Sequence, residues 1–275
     1  MTIDATVTPD QLLDTLGITE PKDLDIEAIA YYCGARIEYE PLSGCEANIV
    51  GYGNQAVITV NSSSIRSRQR FSAGHELGHW MRDRGQSAFG CSQRQMDSEW
   101  NVNNPESRAN VFAADLLLPR KLFVPLAKNR PITVQTVRDL STEFQMSLTS
   151  TALRLVTLGS FPSMLLYFEG DKRKWFKAKR DVPASLFPVD RLVDGTASAQ
   201  LLETEDGRVG IDDVRADRWF NHPRADRYYI KESCYRTSRT TVVTLLWWED
   251  ESQIIDLEEE EERRASRSSY GWRED

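Results

Sequence analysis

The run His75-Glu76-Leu77-Gly78-His79 places two imidazoles four residues apart with a carboxylate between them. On a helix, His75 and His79 share a face and lie about 6 Å apart along the axis, so both rings can reach one ion. Glu76 points to one side. A carboxylate that ligated the ion would not be free to take a proton from an attacking water, so this offset suits a general base. The chain contains only 3 histidines, and two of them stand here. The pattern predicts a metal-dependent hydrolytic site; the competing reading is a surface helix with incidental histidines.

A catalytic zinc site generally takes three protein ligands and keeps a fourth position open. The residues after His79, Trp80-Met81-Arg82-Asp83-Arg84-Gly85, offer no third histidine, so the third ligand lies on another element. Glu106 is the candidate, because it opens a separate helix and Asn110, one turn later, could hydrogen-bond a ligand histidine. Taken alone, Glu106 could equally be an acid stabilising a helix N-terminus without any metal. Asp115 reads as solvent-facing. The cysteines, Cys33, Cys45, Cys91 and Cys234, lack C-x-x-C spacing, which argues against a disulfide framework and a thiolate zinc site. They read as inert thiols, although Cys91, lying between the two ligand segments, could in principle bind the ion and block it.

The run Glu106-Ser107-Arg108-Ala109-Asn110-Val111-Phe112-Ala113-Ala114-Asp115-Leu116-Leu117-Leu118-Pro119, after Arg70-Phe71 and the His75 to His79 motif, closely resembles the ImmA/IrrE metallo-endopeptidases. The resemblance spans residues 25–159, and Gly74 departs from it where members commonly have alanine. It implies that Glu106, the glutamate of E-x-x-A-N, is the third zinc ligand. It also implies that the substrate is a helix-turn-helix transcriptional repressor, whose cleavage induces stress-response or mobile-element genes. Some members carry a sensor-like GAF-type domain after the peptidase. A His2Glu set could accept manganese or cobalt as well as zinc.

The elements that position these residues follow from periodicity and punctuation. Residues 8–16 and 24–33 have helical spacing, the second capped by Asp23 or Asp25 and stopped by Gly34. Strand-like runs at 36–39, 47–52 and 56–60 are separated by turn formers, which predicts a small antiparallel sheet. The run 56–60, just before the metal helix, could pair with an extended peptide substrate if it lay at a sheet edge. The metal helix has candidate caps at 61–64 and runs to about 84, with Gly85 as its stop. Gly74 and Gly78 share a face, each costing about 1 kcal/mol in a helix interior, which predicts close approach by another backbone or simply tight packing. A polar stretch, 86–103, precedes the second ligand helix, with Asn104 as cap, Pro105 at its first position and Pro119 beyond its end. Residues 134–144 and 148–158 form a helix-turn-helix-like pair whose only basic residues are Arg138 and Arg154.

After Gly159, strands at 164–168, 174–178, 227–234 and 240–248 predict a second α+β unit. Its Trp175, Trp219, Phe220, Tyr228, Tyr229, Trp247 and Trp248 are read as core. The expected fold class is therefore α+β: a zincin-like metallopeptidase domain over 1–131, a helix-turn-helix-like segment over 132–159, a possibly sensor-like α+β domain over 160–250, and an acidic tail over 251–275. The run 258–262 reads as a solvated helix or a disordered tail.

A formal net charge of −8 argues against a large nucleic-acid footprint. No apolar run is long enough to cross a bilayer, and Met1-Thr2-Ile3-Asp4 has no secretory pattern, so the expected location is the cytoplasm. The oxyanion donor is left open among Tyr and Arg residues and His222. Two rival classes stand beside the peptidase: a DNA-binding regulator using the helical pair, and a metal-stabilised, antitoxin-like interaction protein. A purely structural site has no use for Glu76, which weighs against the second.

Overall fold

Side-chain caps set the first helices of the computed structural model, which describes residues 7–82, 89–91, 104–204, 211–223 and 225–270. Thr8 and Gln11 form a reciprocal capping box at helix α1 (Pro9–Thr15). Asp25 opens α2 (Ile26–Tyr32), its Oδ1 accepting from the backbone N–H groups of Glu27 and Ala28 at 3.0 and 3.1 Å. Gly34, at φ +80°, follows α2 in the left-handed conformation that glycine tolerates best.

The chain divides into two compact units, Met1–Leu126 with Asp139–Thr151, and Ala127–Arg138 with Ala152–Asp275. In the first, β1 (Ala35–Glu40), β2 (Ala47–Tyr52), β3 (Gln55–Asn61) and β4 (Phe89–Cys91) form a sheet of order β1-β3-β2-β4. β2 runs antiparallel to β3 and β4, but β1 lies parallel to β3, so the small sheet is mixed rather than wholly antiparallel. This order overturns the substrate-strand reading of 56–60. Both edges of β3 are already occupied by β1 and β2, leaving no free backbone for a peptide to join.

Helix α3 (Arg66–Arg82) lies on this sheet, with Leu77 and Met81 buried, as are Ile58 and Val60 of β3. It starts beyond the expected caps: the Asn61 Oδ1 instead accepts from Leu42 and Ser63 N–H groups, tying down the loop before the helix. Gly85 and most of 86–103 lie outside the described residues. Asn104 does cap α4 (Pro105–Leu117), accepting from Glu106 N–H at 3.1 Å. A further helix, α5 (Arg120–Ala127), carries Pro125 inside it. Helices α6 (Val134–Phe144) and α7 (Leu148–Leu158) flank a turn in which Gln145 has φ +53°.

The second unit is built on an antiparallel sheet of order β6-β5-β9-β8-β7. Its strands are β5 (Ser163–Glu169), β6 (Lys172–Ala178), β7 (Ile211–Arg215), β8 (Tyr229–Ser238) and β9 (Thr241–Trp247). Trp219, Phe220, Trp247 and Trp248 are buried, as read from the sequence. Trp175 and Tyr229 are exposed instead; Trp175 stacks on Tyr167 with ring centroids 5.0 Å apart. Of the acidic tail, the described residues form the C-terminal helix Ser252–Tyr270.

One buried carboxylate organises this unit. Glu232 on β8 accepts from the N–H groups of Ala197 and Ser198 and from the Ser198 hydroxyl, at the start of α8 (Ala197–Glu203). One turn of pleat further on, Arg236 donates to the Leu201 and Thr204 carbonyls at the other end of α8. An acid at the N-terminus and a cation at the C-terminus complement the helix dipole. Burial pushes the Glu232 carboxyl above its ordinary range despite these bonds. Its folded pKa therefore exceeds the unfolded one, so its contribution is full below the unfolded value, about 4.3, and is lost as pH rises through the folded value. The wild type should accordingly gain less over the non-titrating Glu232→Gln variant at pH 7 than at pH 4 in denaturant unfolding. A pH-independent difference would mean that Glu232 keeps its ordinary pKa.

Candidate metal centre

Two helices supply every residue of the predicted centre. His75 and His79 stand one turn apart on α3, both buried, with ring centroids 4.7 Å apart and planes at 84°. Glu106 and Asn110 stand one turn apart on α4. The helices meet through small residues. A Cβ on Gly78 would lie 2.9 Å from the Ala109 Cα and 3.0 Å from its carbonyl oxygen, and one on Gly74 would lie 3.0 Å from the Leu117 Cδ1 and 3.4 Å from the Ala113 Cβ. The backbone whose close approach the two glycines predict is thus that of the ligand-bearing helix.

This contact brings three donors together. The Nε2 atoms of His75 and His79 are 3.1 Å apart, Glu106 Oε2 is 3.2 Å from His75 Nε2, and Glu106 Oε1 is 3.5 Å from His79 Nε2. With ligand bonds of about 2.0–2.1 Å, the edges of a tetrahedron of donors measure about 3.3 Å. Each of these separations is close to that edge, so the two imidazole nitrogens and the nearer carboxylate oxygen of each lie at spacings that suit neighbouring corners of a tetrahedral site. Among the described residues, these three form a cluster able to hold a metal ion, their ligand atoms all within 4.8 Å of one another.

The chemistry of the donors points the same way. Asn110 Oδ1 lies 2.9 Å from His75 Nδ1. A carbonyl oxygen can only accept, so this bond puts the ring proton on Nδ1 and turns the Nε2 lone pair toward Glu106 and His79. A lone pair facing a carboxylate calls for a cation between them. The imidazoles beside it, His75 and then His79, hold the Glu106 carboxyl well below the usual carboxylate range. Glu106 is also capped into place, since its own N–H is the one that Asn104 accepts. The helix-terminal and metal-facing readings of Glu106 are therefore compatible.

Glu76 is wholly buried on α3 next to His75. Removing a carboxylate from water is costly, so an acid retained there needs a role. Asp115 is half-buried rather than facing solvent. Cys91 lies on β4 with its side chain outside the described part, and His222 lies in the second unit. Two features escaped the sequence reading. Arg70 is buried on α3 and donates to the Leu24 carbonyl at 2.9 Å, and Trp80 is anchored over Gly51 of β2. A glycine inside a strand is the signal that could have found the second.

Fold and donor set together define a zincin-like α+β domain. Residues 31–156 match the family model of Peptidase M78, the IrrE N-terminal-like domain. In fold, the chain is similar to a Mycobacterium tuberculosis transcriptional regulator at a TM-score of 0.55 and 11% identity, over 87% of this chain and 85% of that one. No curated protein matches by sequence.

The spacing predicts how the centre fails. Gly78→Ala should force α4 outward and weaken zinc binding about tenfold or more, although alanine is the better helix former. Asn110→Ala should weaken it about 10–100-fold by freeing the His75 ring. Competition against a chelating dye measures both; wild-type affinity in Gly78→Ala would show that the donor spacing does not depend on the close approach.

Proposed function

We propose that this chain is a zinc-dependent endopeptidase of the cytoplasm in which His75, His79 and Glu106 hold the ion and Glu76 is the general base. The observation that carries this reading is the convergence of His75 Nε2, His79 Nε2 and the Glu106 carboxylate, with closest separations of 3.1–3.5 Å, within a segment that matches a peptidase family. When bound, the ion supplies Lewis-acid chemistry, polarising the scissile carbonyl and acidifying the attacking water. Manganese or cobalt could occupy the same ligands. Glu76 takes the proton from the water and delivers it to the leaving amine, so that the peptide bond breaks without releasing an unprotonated amide. Asn110 holds the His75 ring in the tautomer that presents Nε2, and Glu106 adds the negative charge that two neutral imidazoles lack.

The substrate we propose is a helix-turn-helix repressor, whose cleavage would switch on stress-response or mobile-element genes. Support comes from the resemblance of both ligand segments to the ImmA/IrrE enzymes and from the family match over 31–156. We assign catalysis to residues 1–131, and recognition or control to the helical pair 132–159, the α+β unit 160–250 and the tail 251–275.

The α6–α7 pair gives little support to direct DNA reading. Recognition helices need an outward face to reach base edges, and on α7 only Thr157 is exposed. No described helix is long and apolar enough to cross a membrane.

The decisive assay incubates the purified protein with a helix-turn-helix repressor encoded beside it, with zinc, with chelator, and as Glu76→Gln. Cleavage should require zinc and fall by at least about 100-fold in Glu76→Gln. An intact repressor in every condition, with zinc still bound, would favour the metal-stabilised interaction protein.

A further inference from the structure

Among the side chains that hold α3 on the sheet side, one stands next to a proposed metal ligand. Trp80, adjacent to His79, is buried. Its indole Nε1 donates to the Cys33 carbonyl, at the end of α2, at 2.8 Å. Its six-membered ring sits against Gly51 near the end of β2, so closely that a Cβ there would come 2.6 Å from Cζ3 and 3.3 Å from Cε3. The ring is rigid and anchored at its far end, so it cannot yield by changing the position of a flexible tip. Gly51 is thus a socket for Trp80, and its neighbours Val50 and Tyr52, exposed on the opposite face of the sheet, take no part in it.

We infer that Trp80 is a positioning residue of the metal centre: seated in the Gly51 socket and tied to Cys33, it fixes the rotation of α3 about its own axis and thereby the aim of His75 and His79. The inference rests on the metallopeptidase reading and extends it to residues outside the ligand set. The lever is geometric. An imidazole nitrogen lies about 6–7 Å from the helix axis, so a rotation of about 10° sweeps it by about 1 Å. Metal ligand distances tolerate only about 0.2 Å. The α4 contact at Gly74 and Gly78 sets how closely the ligand helices approach, and Leu77, Met81 and Arg70 hold α3 against the sheet and the chain before α2. Trp80 adds the contact immediately beside His79, a rigid ring against backbone.

The test compares wild type, Gly51→Ala, Trp80→Phe and the double variant, all full length. Each is depleted of metal and titrated with cobalt and with zinc. Affinity, the visible absorption spectrum of the cobalt form and the thermal midpoint of the metal-free protein are recorded. Gly51→Ala should lower affinity about 10–100-fold, in the range of other changes behind the ligands, and should alter the cobalt spectrum. Trp80→Phe, which loses both the indole donor and the ring edge over Gly51, should do the same. In the double variant, the added methyl group enters space that the smaller ring has left, so its affinity should match Trp80→Phe rather than fall further, a non-additivity expected of groups in contact. Wild-type affinity and spectrum in both single variants, with only the thermal midpoint lowered, would make Trp80 a stability residue and overturn the inference. If Gly51→Ala does not fold, Trp80→Phe alone decides by the same readouts. Failure of the wild type itself to take up either ion would instead overturn the metallopeptidase reading on which the inference stands.

Discussion

The separation of α3 and α4 controls the whole centre, and it is set by atoms that do no chemistry. Gly74 and Gly78 on one helix face Ala109 and Ala113 on the other, each pair one turn apart. Beside this row of small residues run two rows of polar ones at the same spacing, His75 with His79 and Glu106 with Asn110. Two helices whose contact repeats every four residues keep those rows in register along their length. Each glycine costs about 1 kcal/mol of helix propensity, and alanine at 78 would collide with the backbone of α4 itself. That cost accompanies a close interaxial approach, at which a carboxylate from one helix lies within 3.2–3.5 Å of imidazoles on the other.

The electrostatics then follow from burial. His75, His79 and Glu76 are removed from water, and Glu106 largely so. Such groups are tolerated only when paired, hydrogen-bonded or used to hold an ion. Asn110 satisfies one nitrogen of His75, Asn104 holds the backbone of Glu106, and the remaining lone pairs converge. The first turn of α4 adds its positive end to the side of the centre that carries the carboxylate. The second unit uses the same physics for another purpose: Glu232 and Arg236, on one face of β8, bracket a seven-residue helix too short to be stable by itself.

What could be read in the sequence was local. The metal motif, the Asn104-Pro105-Glu106 start of α4, the Asp25 cap and the bounds of α6 and α7 each depend on residues within a turn or two of one another. What could not be read was non-local. The place of β3 depends on which strands flank it, and the parallel β1 reaches it only through the intervening β2 hairpin, which no short pattern encodes. The strand β7 and helix α8 are short, and Glu232, which holds α8, is far from it in sequence. Trp175 and Tyr229 looked like core because aromatic residues usually are, yet a sheet has two faces and an edge, and composition does not say which one a residue occupies. Gly51 went unread as well, although a glycine inside a strand is a local signal: what lies above it is a tryptophan 29 residues away, next to His79.

Three donors drawn from only two helices make the centre depend on few geometric variables. Helix separation, set by the glycine–alanine row, decides whether Glu106 can join the histidines. Helix rotation decides whether the histidines aim at the same point. Position along the axis is fixed by the register of the two polar rows. A centre gathered from several loops would spread such control over many weak contacts and could drift in many directions. Here each variable is held by close packing of rigid groups, backbone against backbone at Gly78 and indole against backbone at Gly51, where interiors yield least. That economy extends to the proposed base: Glu76 follows His75 on α3, so whatever fixes the helix also fixes where its backbone stands relative to the two histidines.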